Sequence, residues 1–206
     1  MIDGRFCRIE PLDVARHGDD LVSVFRMTDA SSWTYLFIGP FETDADILQW
    51  LTDAANHTGY VYSAIIDRSS GRACGVCAYM RPDPDNGVVE IGSIHYADAM
   101  KRTPAATEAM YLLMRHVFED LGYRRYEWKC NSFNTPSRRT ALRLGFRFEG
   151  IFRNHMVVKG HNRDTAWFSV LDSEWPAVKG AFEGWLAPEN FDSEGRQRKS
   201  LSLFRA

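Results

Sequence analysis

The chain has 206 residues, 45% hydrophobic and 25% charged, with a formal net charge of −2. That describes a globular chain long enough for a full core, and the near-neutral charge excludes a bulk pull toward nucleic acid or anionic membrane. No stretch reaches the ~20 apolar residues of a membrane span, and MIDGRFCRIEPLD lacks the apolar core and cleavage site of a signal peptide.

In chain order, RFCRIEPL (5–12) predicts a strand and DVARHGDDLVSVFRM a helix. DADILQWLTDAANH (44–57) predicts a second helix, with Thr43 or Asp44 as its N-cap. YVYSAIID (60–67) and ACGVCAYMR (73–81) read as strands around the turn RSSGR, and PDPDNG (82–87) turns the chain into the strand VVEIGSIHY (88–96). A helix from Pro104, the strand RRYEWKC (124–130) and the helix TPSRRTALRLG (135–145) follow. FRFEGIFRN and HMVVKGHNRDTAWFSVL add strands, the latter bent at KGHN into a hairpin, and SEWPAVKGAFEGWL (173–186) predicts a last helix. Residues 1–187 therefore predict one α+β domain around a mixed sheet, and 188–206 a polar C-terminal arm.

Cys74 and Cys77 form a CxxC within a strand, where residues three apart point to opposite faces, so no shared metal is expected. Together with Cys7 and Cys130 they predict buried free thiols in a reducing cytoplasm. The six tryptophans are scattered without an interleaved basic stripe, which favours core packing over base stacking.

The stretch KRTPAATEA (101–109) joins a strand to a helix. Thr103 suits an N-cap and Pro104 suits N1, where a missing N–H costs nothing. Ala106, Met110, Leu113, Val117 and Leu121 recur at helical spacing, and Gly122 supplies a stop. The first turn carries Ala105, Ala106 and Thr107 and no acid before Glu108, with Lys101 and Arg102 alongside. Free N–H donors, small side chains and two cations make a diphosphate cradle; a well-capped helix with alanines for close packing is the other reading. The punctuation recurs at Asn134-Thr135-Pro136-Ser137-Arg138-Arg139, where Thr135 suits a cap. No GxxxxGK[ST] or GxGxxG accompanies either junction.

The ordered set EIGS, KRTPAATEA, LGYRRYEWKC, N-x-x-S, ALRLGFRFEG and KGHNRDTAWFSVLDSEW resembles the GCN5-related N-acyltransferases (GNAT), in their RimJ/RimL-type branch, over roughly residues 5 to 186. The resemblance implies a strongly twisted mixed sheet flanked by helices and splayed between its central parallel strands. Acyl-coenzyme A would lie in the gap. In the family's [RQ]-x-x-G-x-[GA] phosphate loop, Lys101 takes the first position, Pro104 the first glycine and Ala106 the last small residue. The resemblance also implies direct attack of a primary amine on the thioester, with no acyl-enzyme. A backbone N–H around Ile94 to Tyr96 would polarise the carbonyl, Asn134 would hold the pantetheine arm, and Ser137 would protonate the leaving thiolate.

The cofactor-binding set so implied is Ile94, Tyr96, Lys101, Arg102, Thr103, Ala105, Ala106, Thr107, Asn134, Ser137 and Arg139, without a metal. Where some relatives carry an acid after the EG dipeptide, this chain has Met156 beside His155. The general base is left between Glu90 and His95, with His155 as a further candidate. On a regular strand Glu90 and His95 face opposite ways unless a bulge intervenes. Phe25, Trp33, Tyr35 and Phe37 fall where the family builds its acceptor pocket, and Asp164 reads as a turn carboxylate.

The expected activity is acetyl transfer from acetyl-CoA to an amine, either a protein N-terminus or a small molecule. The alternatives are a succinyl-CoA-using acyltransferase and a non-catalytic acyl-CoA-binding or regulatory protein on the same fold. By analogy the last hairpin and tail could serve a homodimer. No nucleic-acid or membrane partner is expected.

Overall fold

The computed structural model describes residues 1–205. The strands are β1 (Ile2–Asp3), β2 (Cys7–Pro11), β3 (Tyr60–Asp67), β4 (Ala73–Asp83), β5 (Val88–Tyr96), β6 (Arg125–Asn131), β7 (Arg147–Val158) and β8 (His161–Leu171). They form one open sheet in the order β1-β2-β3-β4-β5-β6-β8-β7. Every neighbouring pair is antiparallel except β5 and β6. The helices are α1 (Val14–Arg26), α2 (Asp44–Ala55), α3 (Pro104–Arg115), α4 (Thr135–Leu144) and α5 (Trp175–Leu186). None among the described residues is long and apolar enough to cross a membrane.

Strand alternation feeds two cores, one per face of the sheet. On one face, Val89, Ile91, Tyr126, Trp128, Phe168 and Val170 pack against Met110, Leu113 and Met114 of α3 and Phe182 and Trp185 of α5. On the other, Ala64, Ile66 and Val76 pack against Leu21 and Phe25 of α1 and Ile47 and Leu51 of α2. The second layer stops short of β6, β8 and β7. The residues there that face away from the α3 side lie outside both cores.

The parallel pairing of β5 and β6 runs only from Val88↔Arg125 to Ile91↔Trp128. Beyond it, Gly92–Tyr96 and Lys129–Asn131 diverge, which is the expected splay. A bulge helps open it. His95 pairs Val76 and Gly92 pairs Ala78, so Ser93 and Ile94 together oppose Cys77. Ser93 sits in the left-handed region at φ +49, and the extra residue reverses the alternation of everything after it. Glu90 pairs Met80 while His95 pairs Val76, four residues away on β4. Both therefore project from one face, a condition a regular strand could not meet.

The opposite-faces expectation for the CxxC is overturned for the same kind of reason. Ile65 pairs Gly75 and Ile66 pairs Ala73, leaving Cys74 as a bulged residue. It packs on the α3 side with Cys77, its Sγ 3.2 Å from Met100 Sδ. All four cysteines are free, and burial pushes the Cys74 and Cys77 thiols up to about 12.

Residues after Ala187 fold back on the helices. Leu201 is buried in the α3/α5 core, Asn190 Nδ2 donates to Trp185 O, and the Arg205 guanidinium donates to Leu142 O and Arg143 O at the end of α4.

Candidate active site

The head of α3 lies beyond the diverging end of β5. Thr103 is its N-cap, accepting from Ala106 N–H at 3.3 Å, and Pro104 is at N1. Arg102 precedes it at φ +66. The backbone N–H groups of Arg102, just before the cap, and of Ala105, in the first turn, have no partner among the described residues. No acid occupies that turn, which is Pro-Ala-Ala-Thr, and Glu108, the first acid after it, is committed elsewhere. It is buried and accepts the N–H groups of Arg5, Phe6 and Cys7 at 2.8, 2.6 and 2.8 Å. Of the adjacent cations, Lys101 turns back to Asp98 Oδ1 (2.5 Å) and Ser32 Oγ (3.2 Å). Arg102 is exposed without a partner among the described residues, as is Arg139 on α4. Ala105 and Thr107 are buried, and Thr107 Oγ1 accepts from Arg143 Nη1 at 3.1 Å, tying α3 to α4.

The head of α4 lies beyond the end of β6. Its N-cap is Asn134, not Thr135: Asn134 Oδ1 accepts from Ser137 N–H at 3.1 Å. The amide carbonyl reaches the third helical N–H, while Thr135 N–H is already spent on Phe133 O. Ser137 Oγ accepts the indole N–H of Trp128 at 3.0 Å. A hydroxyl that accepts from an indole keeps its own proton for another acceptor. Ile94 and Tyr96 pack on the α3 side, where burial raises the Tyr96 hydroxyl well above 10.

Glu90 is on the opposite face, beside the apex of the splay. It is 4% exposed, with Oε2 3.1 Å from Arg81 Nη2 and 3.0 Å from Lys129 Nζ. Lys129 is the first β6 residue past the parallel pairing, so its ammonium spans the two strands where they part; it also meets Glu127 at 2.7 Å and lies over the Trp167 ring. Burial raises the Glu90 carboxyl above its ordinary range against the opposing pull of Lys129 and Arg81. His95 is enclosed. Its ring stacks on Trp33 at 4.4 Å and meets Phe25 edge-on at 4.7 Å, with Nε2 2.9 Å from Thr28 Oγ1. Burial, with a smaller effect from Lys101, lowers it to about 4, so the ring is neutral at pH 7. His155 Nδ1 is 2.9 Å from Thr165 Oγ1, Met156 pairs Arg163 across the last hairpin, and Asp164 accepts from Asn154 N–H.

The structure thus gathers Asn134, Ser137, Thr103 and the alanines around one end of the splay, with Glu90 across the sheet from them. Reasoning from sequence did not find Trp128, Lys129 or Arg143 as members of this region, and it named Arg163 only beside Arg81 and Arg153 as a cation that a succinyl donor would want near the acyl end, without choosing among the three. Trp128 and Lys129 are adjacent on one strand and face opposite ways, so no spacing linked them to Ser137 or Glu90. Surface hollows of about 400 Å³ by Asp85, Asn86 and Arg124 and of about 560 Å³ by Asp13, Arg16 and Thr52 lie elsewhere. Among the described residues no group of three or more His, Cys, Asp or Glu side chains converges as a metal site.

An open mixed sheet split between two parallel strands, with an acid-free helix head at each splayed end, defines an acyltransferase of the GNAT type. The acetyltransferase (GNAT) domain family matches residues 11–147. The uncharacterized N-acetyltransferase p20 of Bacillus licheniformis is 30% identical over 156 residues, covering 72% of this chain and 84% of that protein. YdaF of Bacillus subtilis, which carries the name of a ribosomal N-acetyltransferase, is 26% identical over 83% of this chain and 92% of its own length. The crystal structure of a GCN5-related N-acetyltransferase from Brucella melitensis is 56% identical, covers 99% of this chain and 93% of that one, and superposes with a TM-score of 0.97. The chain belongs to the GNAT acetyltransferase family.

Proposed function

We propose that this acetyltransferase moves the acetyl group of acetyl-CoA to a primary amine by direct attack in a ternary complex. The observation that carries the reading is Ser137 Oγ, which accepts the Trp128 indole N–H and lies beside the Cys130 thiol, at the splayed end of β6. The free N–H groups of Arg102 and Ala105, short side chains and the exposed Arg102 and Arg139 suit an elongated polyphosphate donor. Asn134 spends its carbonyl on the cap and keeps its NH₂ group for the pantetheine arm.

In this reading Glu90 takes a proton from the amine as its nitrogen bonds to the thioester carbon, through a water where the amine does not reach it. A backbone N–H of Ile94 to Tyr96 stabilises the charge developing on the carbonyl oxygen, a contribution of about 3 kcal/mol when well aimed. As the carbon–sulfur bond breaks, Ser137 gives its proton to the thiolate and regains one from solvent. His95, neutral and enclosed, shapes the wall between α1 and β5. The free thiols, those of Cys7, Cys77 and Cys130 buried and that of Cys74 half-buried, suit a reducing cytoplasm.

The test is release of free coenzyme A from acetyl-CoA with a panel of amines, some peptides with free N-termini and some small molecules. Turnover that collapses in Ser137→Ala while acetyl-CoA still binds supports the assignment. Binding without turnover on any amine hands the protein to the non-catalytic acyl-CoA-binding reading, which the Met156 position, free of an acid, favours. No binding of acetyl-CoA defeats both.

A further inference from the structure

The buried carboxylate and guanidinium groups are Glu10, Glu90, Glu108, Glu127 and Arg163. Each acid is answered. Glu10 has Arg8 and Arg16 at 2.6 Å, Glu90 has Arg81 and Lys129, Glu127 has Arg125 and Lys129, and Glu108 has three backbone N–H groups. Arg163, only 6% exposed, pairs with no carboxylate among the described residues. Its Nε donates to Thr165 Oγ1 at 3.1 Å, and its Cζ lies 4.6 Å from the Phe37 ring centroid. Its Nη groups make no hydrogen bond among the described residues, and they keep some access to solvent. A largely buried guanidinium with an open fork is available to a carboxylate that reaches it.

The place of this cation matters. Thr165 pairs Asn131 and Trp167 pairs Lys129, so Arg163 projects from the same face as Lys129 and Glu90, level with the splayed end of β6. Its charge is felt at Cys130, which packs beside Ser137, and at Glu90.

We propose that Arg163 is a carboxylate-binding residue: its uncommitted Nη fork takes a carboxylate carried by one of the two substrates, in the side-on geometry that guanidinium groups favour. The carboxylate is either the distal one of a dicarboxylic acyl group such as succinyl or one borne by the amine acceptor. The proposal rests on the acyl-transfer reading and adds a substrate class to it. The competing account makes Arg163 a strut that holds Phe37 and the segment between α1 and α2. The two accounts differ in the free protein, since a strut stabilises it and an unpaired buried cation does not.

The full chain and its Arg163→Met and Arg163→Lys variants would be melted alone, then titrated calorimetrically with acetyl-CoA and succinyl-CoA. Arg163→Met is expected to melt no lower than wild type. If the acyl group bears the carboxylate, wild type binds succinyl-CoA about tenfold or more tighter than acetyl-CoA. That ratio collapses in Arg163→Met and is only partly kept in Arg163→Lys, which retains charge without the fork. If the acceptor bears it, the two donors bind wild type alike. Acetyl transfer then prefers a dipeptide with a free C-terminal carboxylate over its amide by a similar factor in kcat/KM, and the variants lose that preference. Wild type with neither preference overturns the proposal, whatever the variants do. A marked fall in melting temperature for Arg163→Met alongside that result identifies the strut. Failure of both donors to bind removes the acyl-transfer reading itself.

Discussion

At the scale of single residues, the site depends on what each polar atom has left to give. Ser137 accepts from Trp128 and so keeps its hydroxyl proton; general acid catalysis by such a group is worth ~10²–10⁴-fold. Ser137→Ala is accordingly expected to lower kcat by about a hundredfold or more with donor affinity kept, which stopped-flow turnover beside a binding titration would check. Glu90 predicts an acid limb in kcat/KM. Its carboxyl is raised, so activity should fall as pH drops through a value above the ordinary glutamate range, and Glu90→Gln should remove that limb with most of the rate.

His95 makes a prediction about stability. Its native pKa of about 4 lies below the unfolded value of 6.5. The unfolded chain therefore binds the proton first, and stability is lost as pH falls from 6.5 toward 4. Between pH 7 and 4.5 this amounts to about 2–3 kcal/mol. Urea unfolding at both pH values should show that loss in wild type and correspondingly less in His95→Gln. Ser137, Asn134 and Glu90 were legible in the sequence because motif and residue type point to them. Arg163 could not be told from Arg81 and Arg153 as the cation a succinyl donor would want, because what distinguishes it is the lack of a carboxylate partner, and only a fold reveals that.

At the scale of elements, the head of α3 stays open because its nearest acid is used by another segment. Glu108 anchors the N-terminal strand through three N–H groups, and charge-assisted bonds of this kind are worth about 1.5–3 kcal/mol. Glu108→Gln turns one acceptor into a donor facing those N–H groups. It should cost about 2–3 kcal/mol in urea unfolding. The elements themselves were well marked. Alternating residues marked β5, and Thr103-Pro104 marked the start of α3 to the residue, whereas β7 runs unbroken from Arg147 to Val158 where two separate strands were expected. The bulges were only half marked. A strand-interior glycine adjoins each, Gly92 beside Ser93-Ile94 and Gly75 beside Cys74, but a glycine does not say which residue is extruded. Yet the first of them decides that Glu90 and His95 share a face, and the second that Cys74 and Cys77 do. The cap of α4 moved by one residue for a smaller reason: Asn134 and Thr135 both suit a cap, and only geometry chooses between them.

At the scale of the molecule, the sheet carries a complete helical layer on one face and a partial one on the other. The part of the second face without helices is where Glu90, Lys129 and Arg163 gather, covered in part by Phe37. The tail bears on the complete layer. Its composition, rich in Asp, Glu, Arg, Lys and Ser, suggested an exposed arm, and its few apolar residues were too sparse to form a periodic signal. Those few residues are the ones that pack: Leu201 is 1% exposed inside the α3/α5 core, and Phe204 lies against Gly184. Burying one leucine is worth about 1.5–3 kcal/mol. Arg205 adds two bonds to the last carbonyls of α4, groups a helix end otherwise leaves unpaired. Removing residues 188–206 should therefore lower the melting temperature by roughly 5–10 °C, taking about 2–4 °C per kcal/mol for a chain of this size. Because α4 carries Ser137 and Asn134 at its other end, the truncated chain should also lose acetyl-transfer rate at temperatures where it remains folded. A truncation with an unchanged melting curve would show the tail to be a free arm after all, and the anchoring of α4 would then rest on Arg143 and the sheet alone.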